Sequence, residues 1–138
     1  MRTAVREAGL SGMPTVAECG GFLYLHRTLT DREGNAYPMA GVLPGNCYDT
    51  GKLVRFGYIE LEESGGHFLS QGSRIRGHEF HYYDSEDNGA DCTAYKPTTG
   101  RHYACIHTDE NHWYGFAHLY YPSCPEFAAR FVEKVRKY

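Results

Sequence analysis

The sequence predicts an α/β domain with a strand-rich half. Three observations carry this. A short β-branched run, 14–18, leads through a cysteine and two glycines into an apolar helical repeat. Alternating apolar and polar residues over 54–62 mark a half-buried strand, and further strand signals follow it. A proline-led amphipathic helix closes the chain. The element order is α-β-α, then mostly strands, then α, which favours a sheet carrying a strand-rich insertion on one edge.

In chain order, residues 1–10 form a mixed helix that stops at Ser11-Gly12, a capping and turn signal. Thr15-Val16-Ala17 suits a buried strand, and Phe22, Leu23, Leu25 and Leu29 predict a helix over 21–29. Residues 30–35 are a polar turn. The segment 37–44 is apolar but broken by two prolines, so irregular structure or a short edge element is expected, and 46–52 reads as a loop. After the strand 54–62 and a turn at 64–66 come strands over 74–84, 92–95, 103–107 and 113–121, separated by acidic or glycine-bearing turns. The last helix spans 123–135, with Ser123 as its cap, Pro125 in its first turn, and Phe127, Phe131 and Val135 on one face.

Composition excludes several function classes. The 138 residues fit one domain, 1–138, with a real core. A net charge of −3 implies no strong attraction to nucleic acid or anionic membrane. No apolar run approaches the ~20 residues of a membrane span. The N-terminus lacks the apolar stretch of a secretory signal. The five cysteines (19, 47, 92, 105, 124) include no CxxC pair, which points to free thiols in a reducing, cytoplasmic compartment. The twelve tyrosines and eight histidines suit either a site for a large flat polar ligand or a half-exposed aromatic sheet.

Cys19 is the candidate nucleophile. A strand–cysteine–helix turn holds a side chain exposed and strained at the end of a sheet. Gly20 and Gly21 remove Cβ atoms where a tight turn and a close substrate approach need space. The helix N-terminus favours thiolate over thiol. A buried core cysteine is the competing reading, and the residues alone leave the two about even. A nucleophilic cysteine needs a base, and histidine titrates in the right range. His26 is placed on the exposed side of its helix, His67 and His102 beside turns, and His107 and His112 around an acidic turn. His118 ends a strand, where parallel sheets collect active-site residues. Spacing alone does not choose between His118 and His107. In Gly77-His78-Glu79-Phe80-His81 the histidines are three apart, so this is not a zinc-protease motif and no metal site is expected. Strand alternation puts Glu79 and His81 on one face as a polar pair and turns His78 away. There is no nucleotide-binding glycine loop.

Four blocks carry a resemblance: Pro14 to Leu25, Gly57-Tyr58, Arg76-Gly77-His78-Glu79-Phe80-His81-Tyr82, and His118-Leu119-Tyr120-Tyr121. In that order, along nearly the whole chain, they resemble the glutamine amidotransferase domain of cobyrinic acid a,c-diamide synthase. The resemblance implies a flavodoxin-like fold of the class I glutaminase type. It implies a glutamine-dependent amide ligase of corrinoid biosynthesis, in which glutamine gives ammonia to cobyrinic acid held by a synthetase domain. It makes Cys19 the nucleophile, His118 its base and Gly20 an oxyanion donor beside Gly21. Glu79 and His81 take a supporting or domain-contact role. Where triad amidotransferases place a glutamate two residues after the histidine, this chain has Tyr120, so a Cys–His dyad is expected. The family's upstream oxyanion loop, first strands and ATP- and Mg²⁺-binding domain precede the residues that match Met1. The chain is therefore expected to bind no cofactor itself and to be weak or inactive alone. A homodimer stays open, as do other acceptors (a nickel sirohydrochlorin or a cobyric acid precursor) and a catalytically silent tetrapyrrole-binding or oligomerisation module.

Overall fold

A computed structural model describes residues 1–138. It is a mixed α/β, strand-rich domain. Helix α1 (Arg2–Leu10) ends as expected, with the Ser11 N–H bonded to Glu7 O and Gly12 at φ 82°. Strand β1 (Thr15–Glu18) runs into α2 (Gly20–Leu25). Three short strands follow: β2 (Thr28–Thr30), β3 (Ala36–Pro38) and β4 (Asn46–Asp49). The long strands β5 (Arg55–Glu63) and β6 (Arg74–His81) precede β7 (Tyr83–Ser85), β8 (Cys92–Tyr95) and β9 (His102–Cys105). The chain closes with β10 (His107–Thr108), β11 (His112–Gly115), β12 (His118–Leu119), a 3-10 turn at Tyr121–Ser123, and α3 (Pro125–Lys137).

The strands form three sheets, ordered β1-β11-β10, β12-β6-β5-β8-β9 and β3-β2-β4-β7. β1 and β11 are parallel, whereas the five-stranded sheet is antiparallel throughout. The alternation over 54–62 and 74–81 is realised as a β5–β6 hairpin that aligns Arg55 with His81 and Glu62 with Arg74. Ile59, Leu61 and Ile75 point inward to a core with Phe68, Leu69, Trp113 and Phe127. Glu60, Glu62 and Arg74 pair on the outer face. A second core of Ala17, Phe22, Leu25, Tyr114 and Phe116 lies under α2. No helix is long and apolar enough to cross a membrane.

Several elements depart from the sequence pattern. α2 stops at Leu25, because His26 turns extended (φ −67°, ψ 170°) and Thr28 and Thr30 join a sheet. The predicted loop 46–52 begins as strand β4, paired with β2 and β7. The span 74–84 breaks at Tyr82, so β6 and β7 serve different sheets. The span 103–107 breaks at Ile106, whose φ is 67°. Ser123 does not cap α3: its hydroxyl accepts the Arg76 N–H and donates to Tyr120 O, and Cys124 takes the cap position. Phe127 is buried and Phe131 packs on the core, but Val135 is exposed.

The break that matters for function is at Phe116-Ala117. The pattern there predicts one strand over 113–121, but residues 113–117 are all buried, so alternation fails. β11 lies beside β1, and two residues later β12 lies beside β6. This crossover carries His118 from the sheet that holds β1 to the five-stranded one.

Candidate active site

Parallel pairing runs from Thr15↔His112 to Glu18↔Gly115 and fixes where β1 ends. The Cys19 N–H continues this pairing with a 2.8 Å bond to Gly115 O. The Cys19 carbonyl already accepts the Leu23 N–H at 2.9 Å, the first bond of α2. One residue must therefore change the chain's direction, and Cys19 does so at φ 47°, ψ −104°. Such backbone costs a non-glycine residue ~1–3 kcal/mol and clusters at functional sites. The strain falls on the cysteine itself. Neither Gly20 nor Gly21 has positive φ. A Cβ at Gly20 would meet nothing within 4 Å, whereas one at Gly21 would touch Ala17 Cβ at 3.6 Å, so the open space lies at Gly20.

Cys19 is half-buried, and desolvation holds its thiol above the ordinary cysteine value. The Gly20 N–H directed at the sulfur acts the other way, and the Glu18 charge adds to the rise. The expected helix-terminal thiolate is thus corrected. α2 has six residues, and its N-terminal pull does not overcome burial. A resting thiol of this kind needs a base to take its proton.

His118 begins β12 on the exposed face of the five-stranded sheet, directly across from His78. The two line a cleft of about 370 Å³ with Tyr58, Arg76, Gly77, Leu119 and Tyr120. His78 packs edge-on against Phe56 (5.5 Å) and Tyr58 (5.3 Å). Turned away from Glu79 and His81, as alternation requires, it shares the His118 side. No hydrogen bond joins the Cys19 sulfur to the His118 ring in this resting arrangement. Their segments meet through Glu18. One carboxylate oxygen accepts the Leu119 N–H at 3.4 Å, and the other accepts the Tyr121 hydroxyl.

The remaining histidines have other duties. His26 is buried, not exposed: Nδ1 donates to Phe22 O (2.8 Å) and Nε2 pairs with the Ser85 hydroxyl (2.7 Å). His112 is fixed by Asp109 (2.7 Å) and Met13 O. His107, the rival of His118, hydrogen-bonds Asp87 O at 3.1 Å. His67 and His102 are exposed.

Glu79 and His81 share the buried face of β6, as their spacing requires, but do not bond to each other. The Glu79 carboxylate accepts the Tyr103 hydroxyl and Lys96 Nζ (3.3 Å). The Arg55 guanidinium lies 3.6 Å over the Tyr103 ring. His81 stacks on Phe116 (3.9 Å) and donates from Nδ1 to Tyr83 O. Phe116 in turn packs edge-on against Phe22 of α2 (5.1 Å). His81 therefore buttresses the crossover from the side opposite α2. Glu18 is the residue that motif reasoning left without a role; its signal is a charge in an otherwise apolar strand end.

Comparison with known proteins gives the family. The profile of the CobB/CobQ-like glutamine amidotransferase domain matches residues 1–123. The cobyrinate a,c-diamide synthase of Caldanaerobacter subterraneus subsp. tengcongensis is 36% identical over 137 residues, 97% of this chain and 30% of that protein. The synthase of the same name from Picrophilus torridus is 35% identical over 123 residues, 88% of this chain and 26% of its own length. That from Herminiimonas arsenicoxydans is 31% identical over 128 residues, 92% of this chain and 28% of its own length. The chain spans less than a third of these relatives. With the strained cysteine elbow and the His118 strand beside it, this chain belongs to the CobB/CobQ-like glutamine amidotransferase family.

Proposed function

We propose that the chain is the glutaminase part of a cobyrinate a,c-diamide synthase, a glutamine-dependent amide ligase of cobalamin biosynthesis. The observation that carries this is Cys19. It is a thiol whose pKa burial raises, held at positive φ at the end of a parallel strand, with open space over Gly20 and a histidine-bearing strand tied to its neighbour.

His118 takes the thiol proton as Cys19 Sγ attacks the carboxamide carbon of glutamine. The tetrahedral oxyanion receives the Gly20 N–H. Collapse breaks the C–N bond, His118 returns its proton to the leaving ammonia, and a γ-glutamyl thioester remains on Cys19. A water that loses its proton to His118 then hydrolyses the thioester to glutamate and restores the thiol. The ammonia amidates the a- and c-carboxylates of cobyrinic acid, activated by ATP and Mg²⁺ held outside this chain. Glu79 and His81 keep β6 and the crossover rigid beneath the dyad. The mixed sheet around β1 and β11 fits one half of a flavodoxin-like sheet whose other strands, with the ATP-dependent domain, belong to the rest of the synthase. The thiol chemistry and the family's biosynthetic role fit the cytoplasm.

The test is labelling with a diazo-ketone analogue of glutamine, read by mass spectrometry. One adduct on Cys19, abolished in Cys19→Ser and slowed at least tenfold in His118→Ala, is the expected result. Labelling that ignores His118, or no thiol labelling, overturns the reading.

A further inference from the structure

We propose that Glu18 is a positioning residue, a carboxylate clamp that sets the distance between the nucleophile elbow and the strand carrying His118. The inference rests on the dyad reading above.

β1 and β12 belong to different sheets and share no strand pairing. β12 is only two residues long and held on one side by β6. A base on so short a strand needs a second restraint. Glu18 supplies it, because each of its carboxylate oxygens binds a group just beyond His118. One takes the backbone N–H of Leu119, the residue after His118. The other takes the Tyr121 hydroxyl at the start of the turn into α3. On the other side, Glu18 is covalently next to Cys19. No other polar side chain bridges these two segments.

The clamp has a chemical consequence. The Glu18 charge opposes ionisation of the adjacent thiol. The groups that act on Glu18 and Cys19 are the Leu119 N–H, the Tyr121 hydroxyl and the Gly20 N–H; no cationic side chain hydrogen-bonds the Glu18 carboxylate. Glu18 therefore does two separable things. It aligns His118, and its charge adds to the burial that already holds Cys19 as a thiol.

Two probes of Cys19 separate these effects in the purified chain. Iodoacetamide reads thiolate alone, whereas the diazo-ketone analogue reads alignment with His118. In Glu18→Gln the charge is lost but an acceptor remains. Iodoacetamide alkylation at neutral pH should rise, and analogue labelling should stay within about threefold of the parent. In Glu18→Ala, and in Glu18→Met if the alanine variant does not fold, alkylation should again rise. Analogue labelling should fall by about 10- to 100-fold, the scale of an ångström-sized misplacement of a catalytic group. Hydrogen exchange of the Leu119 amide should accelerate in Glu18→Ala and Glu18→Met and not in Glu18→Gln. A merely structural role would slow both probes together. Acceptor-less variants that label at the parental rate, while His118→Ala still slows labelling tenfold, overturn the clamp and leave the dyad intact. Parental labelling in His118→Ala overturns the dyad itself, and the clamp with it.

Discussion

Gly77 lies directly beneath the carbonyl of His118. A Cβ built on Gly77 would stand 2.8 Å from that oxygen and 3.7 Å from Leu119 Cα. These are backbone atoms, so no side chain can swing aside. β12 approaches β6 this closely only because position 77 carries no side chain, and the Gly77↔Leu119 pairing depends on it. The glycine in the motif block thus serves the placement of His118.

Gly77→Ala should accordingly push β12 outward. Overpacking of this kind costs ~1–3 kcal/mol. The unfolding free energy from urea titration should fall by that amount, and analogue labelling of Cys19 should slow because His118 moves with its strand. Parental labelling in a destabilised Gly77→Ala protein would show that the strand's exact seat does not matter for the chemistry.

Glu63 is a buried carboxylate that organises a loop. Its oxygens accept the backbone N–H groups of His67, Phe68 and Leu69, and this folds fully buried Phe68 and Leu69 into the main core. In Glu63→Gln the amide nitrogen must face at least one of these donors, and the charge assistance is lost. Hydrogen bonds to charged groups contribute about 1.5–3 kcal/mol, and the variant should lose stability on that scale by urea unfolding. Glu62→Gln, at a partly exposed ion pair, should lose less than about 1 kcal/mol.

Buried histidines make the fold acid-sensitive. Desolvation lowers the pKa of both His26 and His81. As pH falls below the ordinary value of about 6.5, the unfolded chain takes up protons that these folded imidazoles refuse. Stability should therefore be fully present above that value and fall on acidification, by up to about 1.4 kcal/mol per pH unit for each group, until the folded imidazoles titrate. Thermal melting between about pH 7 and pH 5 measures this slope. His81→Phe, which keeps the stack on Phe116, should flatten it, and an unchanged slope would remove His81 from the account.

How much of this was legible in the residues follows from the length of each signal. The long alternations of β5 and β6 place Glu79 and His81 inward and His78 outward, and Pro125 marks the start of α3. The cysteine elbow is visible because a β-branched run, a cysteine and two glycines stand together. The strands β2, β4 and β7 are three or four residues long, too short to show a period, and exist through their partners. Phe68 and Leu69 sit in a segment with no regular structure, so their burial depends on a carboxylate several residues away. His26 follows the helix pattern of its neighbours, but α2 ends just before it and its ring turns into the core. The Glu18 bridge joins residues about a hundred positions apart, a distance no local pattern reports.

The elbow strain itself can be measured. Cys19 holds φ 47°, where a Cβ is costly and glycine is at ease. Cys19→Ala removes the sulfur but keeps the Cβ, whereas Cys19→Gly removes both. Elsewhere near a helix, glycine loses to alanine by roughly 0.5–1 kcal/mol through the entropy of the unfolded chain. Here the order should invert, with Cys19→Gly more stable than Cys19→Ala by about 1 kcal/mol once the strain is relieved. Paired thermal melts of the two variants give the comparison directly. Equal or reversed midpoints would mean that the surrounding hydrogen bonds, from Gly115 O to Leu23 N–H, accommodate the cysteine without stored strain. An inverted order would show that the backbone keeps a strained residue where the proposed nucleophile must stand.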